Sequence, residues 1–425
     1  MEKNKPAAEG FSQRRYHDHG LDCDEILNMK RGIERLPWNR LLPVVLALTC
    51  GCAGKTARGA SEQSVSAPDA PVRVVSVEKA DDYNALFRAR PEGWLGADGI
   101  YSVPLSPSKT VWLFGDTLIG AISQGRRRMD AFINNSIAIE SRVPGQASKV
   151  EFFWDSSSKP AGSFFPHQSG TSGAFYWPVT GVLLDGELFV FCYPVRTSQA
   201  WFDISDTTVI RIPAPHESPR LWKQAAYDLG LGNSHQGFIS AAVIKEPYVY
   251  FLGYDDPDND AAKRRMVLAR ALKTGLLAGG RREIFEFWVL NKSGPTWSRE
   301  PKGLVTLFSP GVTETQVQYD ASLGLYICPF KRDGSPDIQL TAAPELTGPW
   351  SKPVQIYRIA EHDVSFGIMS YAIKAHPELA SAPGELVISY ATNTPDSLDP
   401  LFTPEGLGIY VPLFIRVKLA KTGVR

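Results

Sequence analysis

Five times along the chain one pattern recurs: an apolar strand, a tight turn, and a second strand rich in aromatic and β-branched residues. The copies read IYSVPLSPSKTVWLFG, GVLLDGELFVFCY, AAVIKEPYVYFLGY, VQYDASLGLYICPF and AIKAHPELASAPGELVISYA. With Trp112, Phe189, Tyr250, Tyr326 and Val387 taken as equivalent, the spacings are 77, 61, 76 and 61 residues. Each copy is followed by a third candidate strand: NSIAIES, TTVIRIP, MVLARAL, IQLTAAP and LFIRVKLA. Several show a fourth, including VEFFW, FEFWVL and PVQIYRI. A four-stranded antiparallel sheet repeated radially buries faces that no single sheet could cover, so the pattern predicts an all-β fold, a five-bladed β-propeller of four-stranded blades. The 36 Gly, 32 Pro, 10 Trp, 15 Tyr and 21 Phe of the 425 residues argue in the same direction and against a helical bundle. A β-sandwich is the competing arrangement of many short strands. The segment VRVVSVE, residues 72–78, is expected to close the ring as the outer strand of the C-terminal blade.

The residues before this segment read differently. Lys30, Arg31, Arg35 and Arg40 precede an apolar stretch, Leu41 to Leu48, and then TCGCAG. That stretch is too short to span a bilayer and resembles a bacterial lipoprotein signal, with Cys52 after Gly51 as the lipidation site and Cys50 as the alternative. Met29 would open a leader of ordinary length. From Ala53 to Pro71 the chain has no aromatic residue and reads as a flexible tether. The expected organisation is residues 1–52 as extension and signal, 53–71 as tether and 72–425 as propeller, in an exported, periplasmic or outer-membrane lipoprotein. The remaining thiols, Cys192 and Cys328, lie in apolar runs and are expected as free buried cysteines.

Lys plus Arg equals Asp plus Glu at 45 each, so no net charge steers the protein to nucleic acid or an acidic surface. A neutral polysaccharide is the expected partner, for a monomer that meets membrane only through its lipid.

In a meandering blade the first strand lines the axis and the second returns antiparallel to it. The start of the first and the end of the second therefore open on one face. Asp98 precedes a first strand and Asp116 ends a second, so both are expected at one mouth of the central funnel. The same rule brings Glu314, Trp177, His235 and Tyr371 there from other blades, with Asn393 from the end of a second strand and Asn134 and Asn135 from the start of a third. Aromatic faces and amides suit a sugar, and paired carboxylates suit hydrolysis of a glycosidic bond. The expected roles are Asp98 as general base or nucleophile and Glu314 as general acid, with Asp116 raising the acid's pKa or orienting the sugar. A non-catalytic propeller binding glycan or protein through the same mouth is the alternative. No cofactor is expected, with a structural divalent ion in the funnel left open. DDPDND, residues 255–260, imitates a calcium loop but carries Ala261 where the turn glycine belongs and reads as solvated. RRR at 126–128 reads as an exposed loop.

The stretches WLGADGIYSVPL, VWLFGDT, FINNSIAI, FYWPVTGVLLDGELFVF, ETQVQYDASLGLY, ELTGPWSKPVQIY, YAIKAHPEL and ISYATN resemble the domain-of-unknown-function 4185 family over about residues 80–418. Some members of that family are endo-D-arabinanases. The resemblance implies a propeller hydrolase of an arabinofuranoside-containing glycan, with Asp98, Asp116 and Glu314 in its motif positions and Asn134 and Asn135 binding hydroxyls.

Overall fold

The computed structural model describes residues 67–423, apart from 169–172, 198–201, 205 and 259. The leader with Cys50 and Cys52, and the tether up to residue 66, lie outside the described residues. The chain enters through β1 (Val72–Lys79), a short helix α1 (Asp81–Leu86) and β2 (Glu92–Ala97). The first blade follows: β3 (Tyr101–Ser106), β4 (Lys109–Phe114), then an inserted hairpin of β5 (Thr117–Ser123) and β6 (Arg126–Ile133), then β7 (Ser136–Ser141) and β8 (Lys149–Phe153), with sheet order β3-β4-β7-β8.

The second blade comprises β9 (Ala174–Leu184), β10 (Glu187–Thr197), β11 (Phe202–Ile204), β12 (Thr208–Ile212) and β13 (Ala225–Asp228). The third is a meander of β14 (Gln236–Lys245), β15 (Tyr248–Asp255), β16 (Arg265–Leu272), β17 (Phe285–Asn291) and β18 (Gly294–Ser298). The fourth runs β19 (Gln318–Asp320), β20 (Leu325–Lys331), β21 (Asp337–Ala343) and β22 (Val354–Arg358). The fifth has β23 (Met369–Ala375), β24 (Glu385–Asn393) and β25 (Leu413–Lys421), and β1 pairs antiparallel with β25 to close the ring. This is a five-bladed propeller, and the strand expected at 72–78 is its closing strand.

Local chemistry explains the strands. The β9–β10 connection is Asp185-Gly186, both at positive φ (48° and 87°), the two-residue turn whose twist suits a hairpin. Second strands are covered on both faces by neighbouring blades, so they read as continuous apolar runs: Leu188 to Val195 in β10 and Phe251 to Tyr254 in β15 are buried without interruption. Phe191 of β10 meets Phe251 of β15 edge-on at 5.0 Å, across the second and third blades. One contiguous core joins Val111 and Ile137 of the first blade to Val182 and Phe189 of the second and Val267 of the third. Cys192 and Cys328 are free and buried.

Two local expectations need correction. RRR is not a loop: it opens β6, where period-2 alternation leaves Arg126 and Arg128 exposed and buries Arg127. DDPDND is not wholly solvated, because Asp255 and Asp256 are buried against Arg265 (2.6 Å) and Arg264 (3.4 Å), while Asp258 stays exposed with Lys263. Beyond the blades there is a further three-stranded sheet, β2-β5-β6. Its apolar face, with Leu95 and Leu118, is covered by Leu401 and Tyr410 from the loop between β24 and β25. A partner so far away in the chain leaves no local signature.

Candidate active site

Asp98 and Asp116 are joined by main chain before their side chains meet anything. The Asp98 amide donates to the Asp116 carbonyl (3.3 Å), and the Gly115 amide donates to the Asp98 carbonyl (3.0 Å), extending the ladder past the open end of the β3–β4 hairpin. A Cβ on residue 115 would lie 2.5 Å from Asp98 Oδ1. The glycine of FGDT is therefore what lets the Asp98 carboxylate lie over the strand end.

The side-chain partners come from five stretches of chain. Tyr371 Oη donates to Asp98 Oδ2 at 2.8 Å and Tyr410 Oη to the same oxygen at 3.4 Å, while Tyr410 Oη also reaches the Asp116 carbonyl at 3.1 Å. Trp177 Nε1 donates to Asp116 Oδ1 at 2.9 Å, and Asn134 Nδ2 donates to the same oxygen at 3.3 Å. Glu314 Oε1 accepts from Tyr101 Oη and from Lys374 Nζ, each at 3.3 Å. Lys374 is 1 % exposed, and its ammonium stands 4.2 Å from the centre of the Tyr101 ring.

β23 is kinked to serve this site. Ala372 sits at φ +57°, a strained value for a residue with a side chain, and the β23–β24 register slips between Tyr371 and Lys374. In a regular strand residues three apart point to opposite faces; the extra residue of the bulge brings both side chains to the acids.

Electrostatically the cluster favours protons. Burial first, then the charges of Asp116 and Glu314, hold Asp98 well above the ordinary carboxylate range, against the pull of the Tyr371 and Tyr410 hydroxyls. Burial lifts Asp116 to about 6, opposed by its bonds from Trp177 and Asn134. Tyr371, Tyr410 and Tyr101 are all pushed up, burial leading, so they donate as neutral phenols.

The structure thus brings Asp98, Asp116, Glu314, Asn134, Trp177 and Tyr371 into one network. Asn135 points elsewhere: it is fully buried, donates to the Phe165 and Tyr176 carbonyls (3.1 and 2.9 Å) and accepts from the Phe165 amide (2.7 Å). With its amide bound to backbone between the first two blades, it has no group left for a sugar. His235 lies exposed in a loop and Asn393 caps the Thr394 amide (2.7 Å); no hydrogen bond links either to the acids. Sequence reasoning passed over Tyr101, Lys374 and Tyr410. The first two lie within the quoted repeats, and a lysine in the apolar run YAIKA was the readable signal. Tyr410 arrives from the long loop before β25, which no periodicity marks. Among the described residues no group of His, Cys, Asp and Glu side chains is arranged to hold a metal ion.

A family model described as Domain of unknown function (DUF5005) matches residues 80–419. This corrects the resemblance to the domain-of-unknown-function 4185 family. The motifs that carried it are strand-turn-strand signatures with aspartates at hairpin ends, and they report the blade rather than the family. The comparison with curated proteins gave no match. Among solved structures, a protein of Bacteroides ovatus described as a "putative hydrolase" matches with a TM-score of 0.66 and 18% identity, over 80% of this chain and 90% of that one. An α-L-arabinofuranosidase from Lactobacillus brevis gives 0.45 and 11% over 80% and 94%. A GH43_1 enzyme from Xanthomonas citri complexed with xylose gives 0.46 and 10% over 80% and 95%. At these identities the likeness is one of fold.

Proposed function

We propose, for a chain that belongs to the DUF5005 family, that it hydrolyses O-glycosidic bonds of a polysaccharide at the mouth defined by Asp98, Asp116 and Glu314. The observation that carries this reading is the convergence of three carboxylates from separated stretches, with proton-favouring surroundings on one side and an ammonium on the other. Glycoside cleavage needs that asymmetry: one carboxyl must bring a proton to the leaving oxygen while another, as carboxylate, works on the anomeric carbon or the attacking water. Sequence alone pointed to Asp98 as base and Glu314 as acid. The crowding of carboxylates around Asp98, and the Lys374 ammonium beside Glu314, favour the opposite assignment. In this reading Asp98 gives its proton to the glycosidic oxygen as the C–O bond breaks. Glu314 either takes a proton from the attacking water or attacks the anomeric carbon itself, and the configuration of the first-formed product decides between these. Trp177 and Tyr371 line the sugar's approach, and Asn134 holds Asp116.

Incubating the purified protein with arabinan, arabinogalactan, xylan, galactan and other neutral polysaccharides tests the reading. Oligosaccharide release by the parent, and its loss in Glu314→Gln, is the expected result. Arabinofuranosides belong in that panel as one substrate class among several. A glycan bound but uncleaved would mean a binding propeller, and equal release by parent and variant would mean that Glu314 is not the working carboxylate.

The same proposal places the protein on an envelope surface, with Cys52 lipidated and residues 53–71 as tether. Radiolabelled palmitate is expected to label the parent and not Cys52→Ser in a Gram-negative host, with the variant moving to the soluble fraction. Labelling that survives in Cys52→Ser and is lost in Cys50→Ser would move the anchor to Cys50.

A further inference from the structure

We propose that Lys374 is the positioning residue that fixes Glu314 as the ionised partner of the acid cluster, through an ammonium shared between the Glu314 carboxylate and the face of Tyr101. The proposal rests on the hydrolase reading above and deepens it by naming what separates the two working carboxyls. Three observations carry it. The first is the cost of the side chain: Lys374 lies in an inner strand between buried Ile373 and Ala375, at 1 % exposure, where an apolar residue would pack without desolvating a charge. The second is its partners. The ammonium has Glu314 Oε1 at 3.3 Å and the Tyr101 ring at 4.2 Å, while Tyr101 Oη donates to that same oxygen, so cation, ring and carboxylate form a closed triangle. The third is the backbone. The kink at Ala372 and the bulge beside it put Tyr371, the donor to Asp98, and Lys374, the donor to Glu314, on one face of one strand. A single strained segment therefore delivers a neutral hydroxyl to one acid and a lysine side chain to the other; burial disfavours its ammonium, and the charge and hydrogen bond of Glu314 support it.

The other groups that bear on this pair are anionic or neutral. Asp98 approaches from the first blade, Tyr193 from β10, Asp333 from the turn after β20, and Tyr371 from β23. His376, two residues beyond Lys374, is buried between Ser102 and Ser389, and burial together with Lys374 pushes it down to about 3, so it is neutral. Arg264 is committed to Asp256 and Asp333 at 3.4 and 3.5 Å. The ammonium of Lys374 is thus the cation in contact with Glu314, and removing it leaves that carboxylate facing other acids.

The test uses Lys374→Met, which keeps length and apolar stem, and Lys374→Arg, which keeps charge. With a cleaved substrate in hand, Lys374→Met is expected to lower kcat about 100-fold with KM within about threefold, the size of a lost electrostatic contact in an active site. The acid limb of its kcat/KM profile should move to higher pH, because a base deprived of its cation takes a proton sooner as pH falls. Lys374→Arg should recover most of both effects. A structural lysine would instead give a lower Tm and an unmoved acid limb, and that result, or an Arg variant no better than Met, overturns the proposal. If the parent cleaves no glycan at all, the hydrolase reading fails but this one is still decided. Infrared difference spectra against Glu314→Gln isolate the Glu314 carboxylate band, whose position should move in Lys374→Met, where the ammonium contact is gone, and return in Lys374→Arg. A band unmoved in Lys374→Met would sink the inference.

Discussion

Asp98→Asn is expected to fold, to keep its substrate affinity within a few-fold, and to lose about 10²–10⁴ of kcat, the span that a positioned proton donor contributes. The amide fills the carboxyl's volume above Gly115 and still accepts from Tyr371 and Tyr410, so the network survives while the proton is gone. The companion measurement is the pH profile. A general acid works protonated, so activity falls as pH rises through its titration. Burial first, then the charges of Asp116 and Glu314, hold Asp98 above the ordinary carboxylate range and should extend the parent's activity into less acidic solution. Asp116→Asn removes one of those charges, and the basic limb should then move to lower pH. The same substitution has a sign to give in stability. Asp116 is raised to about 6 when folded, from an ordinary value near 3.8, so its contribution is fully present below the unfolded value and lost as pH rises through about 6. Asp116→Asn should accordingly raise Tm at pH 8 and leave it unchanged at pH 3. Activity in Asp98→Asn within tenfold of the parent would mean that another group carries the proton.

The part of this arrangement that could be read from the sequence is the part set by local chemistry. A strand covered on both faces must be apolar throughout, and a hairpin needs a turn such as Asp185-Gly186, so the β9–β10 unit is written in its own residues. Once the blade is known, antiparallel geometry sends Asp98, Asp116, Trp177, Glu314 and Tyr371 to one mouth without further information. What could not be read depends on residues far apart. The β2-β5-β6 sheet finds its cover some 280 positions away, at Leu401 and Tyr410. Arg127 looks like one of three surface arginines until the alternation of β6 is known. Asn134 and Asn135 are adjacent and chemically identical, and only the rotation from one to the next sends one to Asp116 and the other into the seam between blades. The kink at Ala372 reverses the face of Lys374, and no propensity of alanine announces it.

Arg127→Met is expected to cost roughly 3–5 kcal/mol, the range for breaking up a buried charged arrangement, and to disable the site as well. The Arg127 guanidinium donates to five main-chain carbonyls: Leu95 (3.1 Å), Leu401 (3.0 Å), Gly406 (2.7 Å), Leu407 (3.2 Å) and Ile409 (2.7 Å). Among the described residues no carboxylate pairs with it, and burial lowers its pKa to about 10, so its charge is held by carbonyl dipoles alone. Four of the five belong to the loop that delivers Tyr410. A hydrogen bond to a charged group is worth about 1.5–3 kcal/mol, and methionine offers none, so the loop would have to open to water. Close packing makes the loop's position critical: a Cβ on Gly96 would lie 2.2 Å from the Tyr410 carbonyl. Once the loop moves, Tyr410 leaves Asp98 and the Asp116 carbonyl together. Loss of a donor to the Asp98 carboxylate raises its proton affinity further, so the basic limb should move to higher pH. Tyr410→Phe should produce the same displacement with little loss of Tm. Lys at position 127, with three donors for five carbonyls, should fall between methionine and the parent. A Tm drop in Arg127→Met without the pH displacement seen in Tyr410→Phe would mean that the loop holds its tyrosine by other contacts, and that the clamp serves the fold alone.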